Sequence, residues 1–551
     1  MKILFPLLLL ALPLRAAETS ADEEALDVAV RTEIARATST LRVDDNPAPY
    51  FIAARVADAE RSTLRCVLGG LGSRVQSAER ELTVDLRVGS PQLDNHPAGP
   101  WVADRGRQLP RDGDVKALRH MLWVQFDRDY RGALSGWLGR KAQRVRKGKA
   151  DYECDDLAPE PPHVLVEPAP AAPRIPAQGG EALCRTLSAG MRRPQLTSSE
   201  VILSEERGRR RLWTSEGTRL LLDEGHAALT LYARALSREG TELTLNRSFL
   251  APDADRLPSA QRLRAEAAGL LEDIDALRAA PSTAPFNAPA LLDPSVAAAV
   301  LEAFSARLSG EEQRDPAGAQ TFGGKLGARV APAFLTLVDD PTLSEYRGRA
   351  LLGGYRADDE GVPARAVTLI EKGRLRNYLL SRYPLSGALR SNGHGRAASG
   401  RLPKGRASNL FLRPARTLSR DALLARLRAL CRARGLPYGL WIQRRNSWTQ
   451  RSGTSGRQSF RLVPTRVYLV DAASGARTLV RDLDLVGTPL ALIERVAEAG
   501  DDYEVVDSEL DRDSGRLPMS VVTPSLLLSE AELQSSSAKP ERPPVLPAPG
   551  F

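Results

Sequence analysis

The 551-residue chain has few residues suited to metal binding or nucleophilic catalysis: five histidines and four cysteines. His394 lies in Asn392-Gly393-His394-Gly395-Arg396, where the glycines let backbone approach closely or take positive φ. It is the best remaining candidate for a role at a site. His226, in Glu224-Gly225-His226, has no second ligand at helical spacing and reads as a loop or strand-edge histidine. His96, His120 and His163 complete the set. Cys66, Cys154, Cys184 and Cys431 include no CxxC pair, so a metal site of closely spaced thiolates is not expected. Cys154 and Cys184 flank a proline-rich stretch that a bridge between them would clamp, but separate buried thiols account for the cysteines equally well. Among the acids, Asp358 and Glu360 are candidate ligands of a non-standard metal site, and Glu302 sits in the helical pattern Leu301-Glu302-Ala303-Phe304-Ser305-Ala306. There is no Gly-x-Ser-x-Gly elbow, and no phosphate loop, because Gly324-Lys325 is followed by Leu326.

The elements that must position these residues follow from periodicity. Apolar residues at helical spacing predict helices over 20–37 and 113–138, and alternation predicts strands over 50–57 and 82–88. The basic run Arg140 to Lys149 reads as the solvated end of the second helix. Prolines at 159, 161, 162, 168, 170, 173 and 176 mark an extended connection, and residues 535–551 a disordered tail. Between them β patterning dominates. Val201–Leu203 and Arg211–Thr214 flank the turn-like Glu206-Arg207-Gly208, and further hairpins are expected around 238–240, 371–373 and 473–475. Helices are expected over 259–280, 294–308 and 420–434, the second with Asp293 as N-cap and Pro294 in its first turn. The class is α+β: a mixed domain over 18–155, a proline-rich linker over 156–196, and a larger, mainly antiparallel β domain with inserted helices over 197–534.

Composition sets the frame. With 42% hydrophobic and 26% charged residues the chain is an ordinary globular protein. Its net charge of +9 comes mostly from arginine spread along the chain, which a compositional bias explains, so no nucleic-acid partner is expected. Met1-Lys2, the apolar run Ile3 to Pro13, and Ala16-Ala17 describe a secretory signal over 1–17, with the cut as late as about Ala21. Export to a periplasm or the exterior is therefore expected, in a compartment where disulfides persist. No later segment is long and apolar enough to form a stable membrane span.

Several phrases, in order, resemble the TldD/PmbA family of metallopeptidases. In the first half these are Leu68-Gly69-Gly70-Leu71, Leu86-Arg87-Val88-Gly89 and Asp94-Asn95. In the second they are Phe322 to Gly327, Val338 to Leu343, Asp358 to Pro363, the hairpin Leu369 to Leu380, Asn392 to Arg396 and Thr523 to Leu528. The resemblance implies one zinc held by a helical His-Glu-x-x-x-His motif and a distant C-terminal cysteine, with the glutamate activating the metal-bound water. Here Glu302 matches the glutamate, but Leu301 and Ala306 occupy the histidine positions, and no cysteine follows Cys431. Neither replacement can ligate a metal. Leu301 instead joins Ala297, Val300, Phe304 and Leu308 in an apolar stripe.

Three functions are consistent with this. The first is an exported non-catalytic member without cofactor, which pairs as a homodimer or with a zinc-bearing relative and holds peptides along a sheet edge. The resemblance implies that arrangement, since the family includes a metal-free subunit. The second is an active exported peptidase that binds zinc through other ligands, such as His394, Asp358 or Glu360. The third is a polyanion-binding protein that works through its arginines.

Overall fold

The computed structural model describes residues 21–96, 106–147, 154–167, 177–314, 320–386, 390–446, 451–452 and 460–535. The expected export segment, and the tail beyond Ser535, lie outside the described residues. The chain opens with helix α1 (Ala21–Thr40) and the long hairpin β1 (Pro49–Val67) and β2 (Gly70–Val88). After the short β3 (Arg107–Gln108) come α2 (Val115–Lys147), β4 (Val164–Val166) and α3 (Ala177–Gly190). Three further strands follow: β5 (Leu196–Thr214), β6 (Arg219–Leu236) and β7 (Glu242–Ala251). Strands β1 to β7 form a single sheet in the order β3-β2-β1-β5-β6-β4, with β7 also on β6. The alternating Leu82, Val84 and Leu86 of β2 point into a core closed by Leu26, Val30 and Ile34 of α1 and Leu118, Leu122 and Phe126 of α2.

Three expectations change here. Glu206-Arg207-Gly208 is not a turn: β5 runs unbroken through it, paired with β1 on one side and β6 on the other. A Cβ at position 208 would overlap the Asp58 carbonyl oxygen, so this glycine permits a close strand approach. Second, β5 to β7 belong to the first sheet, which therefore runs to Ala251 and takes in residues assigned by sequence to the second domain. Third, the stretch 156–196 is built into the fold. Val164–Val166 pairs in parallel with β6, and Cys184 of α3 is bonded to Cys66 of β1 with Cα atoms 5.8 Å apart. Cys184 thus does not clamp the prolines with Cys154, which is a free thiol.

Helix α4 (Ala260–Ala279) leads into β8 (Phe286–Leu292) and α5 (Pro294–Ser305). Beyond them the second half forms a nine-stranded and a six-stranded sheet. Both are mainly antiparallel, with one parallel pair each: Tyr438–Arg445 with β8, and Asn409–Pro414 with Gly515–Thr523. Helix α5 lies between the two sheets, beside Tyr438–Arg445 on one side and Glu504–Arg512 and Gly515–Thr523 on the other. Pro294 opens it as expected, but Asp293 does not cap it through its side chain. That carboxylate accepts from Trp441 Nε1 at 2.7 Å and Arg420 Nη1 at 3.2 Å instead, since a charged donor outbids a helix amide.

The seam between the halves carries several ion pairs beside a small apolar cluster in which Ala357 packs with Phe51, Leu212 and Leu222. Arg314 Nη2 meets Asp156 Oδ1 at 2.6 Å, Arg382 Nη1 meets Glu216 Oε2 at 2.7 Å, and Arg210 pairs with Asp359. Arg140, expected in solvent, also reaches Asp156. Lys141, Arg144 and Arg146 are exposed as expected.

Candidate functional site

The apolar stripe of α5 decides what its motif positions can do. Leu301 is 1% exposed and packs with Ala297, Val300, Phe304 and Leu308 in the largest core of the molecule. Ala306 caps the helix and is half-buried. Neither side chain carries a lone pair, so these residues do not fit the zinc that the resemblance implies. Among the described residues no three His, Cys, Asp or Glu side chains group where they could hold a metal ion.

Glu302 is fully buried rather than exposed. A buried carboxylate needs a partner, and Glu302 Oε1 accepts from Arg445 Nη2 at 3.1 Å. Arg445 is steadied in turn by donating its Nε to Ser295 O at 3.0 Å. Glu302 Oε2 has no hydrogen-bond partner. The pair lies at the floor of a cleft of about 1340 Å³ between the two halves. One wall includes Asn246 to Ala251 of β7, and the opposite wall Glu504 to Glu509 of the Glu504–Arg512 strand. Both walls are sheet edges: among the described residues β7 pairs only with β6, and Glu504–Arg512 only with Gly515–Thr523. On β7 the Asn246 amide donates to Asn446 Oδ1 at 2.9 Å and Thr244 O accepts from Asn446 Nδ2 at 2.7 Å, so Glu504–Arg512 is the edge whose outer backbone donors and acceptors face the cleft. Between them the ion pair of His226 Nε2 and Glu509 Oε1, at 2.7 Å, ties the first sheet to the second. Burial pushes His226 down, but the hydrogen bond and charge of Glu509 outweigh it and raise the imidazole above its ordinary value. His226 thus lies within β6, and its partner is a carboxylate.

His394 is elsewhere. It is fully buried, with Nε2 3.0 Å from Asp339 Oδ1 and Nδ1 3.0 Å from Asn392 O. It is not among the residues that line the cleft, so the structure does not bring the two sequence candidates together. Asp339 also accepts the amide of Ser408 at 2.9 Å, which makes His394 part of a satisfied loop-fixing network. Gly393 at φ 75° supplies the positive backbone angle expected of this loop.

Asp358 and Glu360 are likewise spent on loop backbone. Asp358 accepts the amides of Glu360, Val362 and Gly395 at 2.9 to 3.0 Å, and Glu360 Oε2 accepts that of Arg382 at 2.6 Å. The Glu360 residue keeps some surface, but its carboxylate is enclosed. Burial and the neighbouring Asp358 charge push it up to about 8.

Sequence reasoning missed Arg445, the arginines around it, and the two facing edges. The pair Arg444-Arg445 next to Asn446 was the local signal, and pairing across 143 residues is invisible to periodicity.

Comparison with known proteins places this architecture. Residues 285–535 match the PmbA/TldA metallopeptidase C-terminal domain. A metalloprotease TldD homolog from Buchnera aphidicola is 26% identical over 232 residues, 41% of this chain and 44% of that protein. A metalloprotease from Methanothermobacter thermautotrophicus is 30% identical over 183 residues, 33% and 36% of the two chains. The chain thus spans less than half the length of these curated relatives. The fold of TldE from Thermococcus kodakarensis covers 93% of this chain and 100% of its own with a TM-score of 0.57, at 13% identity. A candidate modulator of DNA gyrase from Thermotoga maritima covers 93% and 99% with a TM-score of 0.61, at 14% identity. With the domain match over residues 285–535, the curated TldD relatives and the TldE fold in agreement, the chain belongs to the TldD/PmbA family, with residues 285–535 as its C-terminal domain.

Proposed function

We propose that this protein is an exported, non-catalytic member of the family that works by holding peptide, as a homodimer or as the partner of a zinc-bearing relative. The observation that carries the reading is the state of the motif helix. Leu301 is committed to the core, and Glu302 is held by a guanidinium where a peptidase would need a free base beside a metal. The cleft above it keeps a sheet edge, Glu504–Arg512, that can hydrogen-bond an extended chain of any sequence. Export is supported by the signal-like N-terminus and by the Cys66–Cys184 disulfide, a bond that persists in oxidising compartments.

The test is elemental analysis of the purified mature chain, expressed with zinc supplied, combined with mass spectrometry of short peptides incubated with it. Absence of zinc and intact peptides are expected. Near-stoichiometric zinc together with cleaved peptides would overturn the reading in favour of a peptidase with non-standard ligands.

A further inference from the structure

Helix α2 carries more than its core contacts require. Its inner face, from Leu118 through Leu122, Phe126 and Tyr130 to Leu134, packs on the first sheet and on α1. Beyond Trp137 none of its described side chains joins that core, yet the helix runs on to Lys147, about three further turns, anchored by Arg140 to Asp156. Five of the twelve large apolar side chains exposed among the described residues lie on this one helix: Met121, Trp123, Val124, Leu138 and Val145, the last 78% exposed. Val124, Leu138 and Val145 share one outer stripe with Arg131, since steps of seven return to nearly the same helix face. Single exposed apolar residues are ordinary, whereas a row of them on an outer face marks a contact surface.

Cations accompany that row. Arg128, Arg144 and Arg146 are exposed and make no ion pair among the described residues, and the Lys141 ammonium lies 5.1 Å from the Trp137 ring centroid. The two acids of the helix are engaged, Asp127 with Arg131 at 2.9 Å and Asp129 with Gln125 Nε2 at 2.8 Å. Glu33 of α1 is buried against Arg119 at 2.7 Å. The exposed acids nearby lie elsewhere: Asp112, Asp114 and Glu24 at the heads of the two helices, and Asp44 and Asp45 on the loop that meets Tyr130 from the inner side. From Arg128 to Arg146 the outer face is therefore cationic, and it calls for an anionic occupant.

The spacing says which. A two-fold pairing of the stripe with its own copy, centred on its middle, would set Arg128 and Arg131 against like charges. A folded protein partner takes apolar anchors as a cluster with charges at the rim. Here the apolar tips are spread from Met121 to Val145, about 36 Å of helix, with cations between Val124 and Leu138 and again between Leu138 and Val145. A lipid surface accepts that pattern, because apolar tips enter singly between headgroups while guanidinium and ammonium groups stay level with the phosphates on their flexible stems. We propose that the outer face of α2 docks this protein on an anionic lipid bilayer, lying in the plane of the surface with Trp123, Val124, Leu138 and Val145 inserted. The helix lies on the bilayer and does not cross it, since no helix among the described residues is long and apolar enough to do so. No residue of α2 lines the cleft, so this surface stands independently of peptide holding.

The experiment is co-sedimentation of the full mature chain with sucrose-loaded vesicles, made of neutral phosphatidylcholine alone or with about a third of it replaced by anionic phosphatidylglycerol. At low salt the anionic vesicles are expected to bind at least ~10-fold more tightly, and the difference should shrink as salt is raised. Arg128→Gln with Arg144→Gln and Arg146→Gln should weaken binding to the anionic vesicles by at least ~10-fold, and Trp123→Ser with Leu138→Ser and Val145→Ser by a similar factor. All six side chains are exposed, so both variants should melt with the parent chain; a set that melts early is replaced by its single substitutions, read the same way. Equal binding to both kinds of vesicle, or binding to neither, would overturn the proposal. Loss on removing the arginines with no loss on removing the apolar tips would reduce the contact to attraction for any polyanion and overturn insertion. A concentration-dependent dimer seen by sedimentation velocity without vesicles, and abolished by Leu138→Ser with Val145→Ser, would give the face to a second copy instead.

Discussion

Replacing Arg445 by methionine keeps most of the side-chain volume but removes the only charge partner that Glu302 has among the described residues. The carboxylate has no exposure and already lacks a partner at Oε2, while the Arg445 side chain is 7% exposed. Breaking a buried pair from one side costs ~3–5 kcal/mol, because the remaining charge is left without compensation. Removing both charges, as in Glu302→Met with Arg445→Met, avoids that penalty. The double variant should therefore lose less than the sum of the single losses, with a coupling of at least ~2 kcal/mol. Urea unfolding followed by tryptophan fluorescence reads the transition, since Trp441 lies in the strand that carries Arg445. In a domain of this size each kcal/mol shifts Tm by ~2–4 °C, so the single Arg445 variant should melt at least ~6 °C early. A loss below ~1 kcal/mol, or a double variant as damaged as the sum of its parts, would refute the view that Glu302 is a structural acid. A strong fall in peptide cleavage without loss of stability would refute it more directly.

Three further outcomes are expected. Glu360, raised from 4.5 to about 8, binds its proton more tightly folded than unfolded, so its contribution is present at low pH and is lost as pH rises from 4.5 towards 8. Glu360→Gln should flatten the stability profile over that window by ~2–4 kcal/mol, measured by urea midpoints at pH 5 and pH 8; an unchanged slope would count against the enclosed carboxylate. In the seam pair, His226 is raised and supports folding below its ordinary 6.5, losing that support as pH rises through its folded value. Glu509 is lowered, mainly by the hydrogen bond from His226 working against burial, and loses its support as pH falls below 4.5, so the pair is strongest between about 4.5 and 6.5. His226→Gln should cost ~1 kcal/mol at pH 5.5 and little at pH 8.5 by thermal melting. Finally, Cys66→Ser with Cys184→Ser opens a loop of 118 residues and should lower stability by up to ~5 kcal/mol; a non-reducing peptide map in which Cys66 and Cys184 are free would disprove the bond.

Where the sequence was legible, one element carried its own pattern. The stripe Ala297, Val300, Leu301, Phe304 and Leu308 gave α5 its face, and the same five side chains lie in the core. The helices expected over 259–280 and 420–434 form as well, with Ser259 and Ser419, which were not read as caps, closing their N-termini. Reading failed where distant partners compete. Asp293 had every local reason to cap α5, and lost that role to Trp441 and Arg420. Gly208 looked like a turn because a strand glycine that admits a neighbouring backbone has no local signature. The proline stretch concealed β4 and the bridging Cys184, since composition says nothing about what a segment touches. At the site, the missing zinc donors were readable residue by residue, whereas the Arg445 clasp on Glu302 and the facing edges exist only once β7, α5 and Glu504–Arg512 converge.

The ionic seam has a consequence for recombination. Apart from a small cluster in which Ala357 packs with Phe51, Leu212 and Leu222, each half closes its own apolar core, and matched charges do much of the joining, among them Asp156 with Arg314, Glu216 with Arg382, Arg210 with Asp359 and His226 with Glu509. Such a joint works as a key and not as an adhesive. A chimera that took residues 285–535 from a relative would inherit the teeth without the lock, and would fit better if Asp156, Arg210, Glu216 and His226 were exchanged along with it.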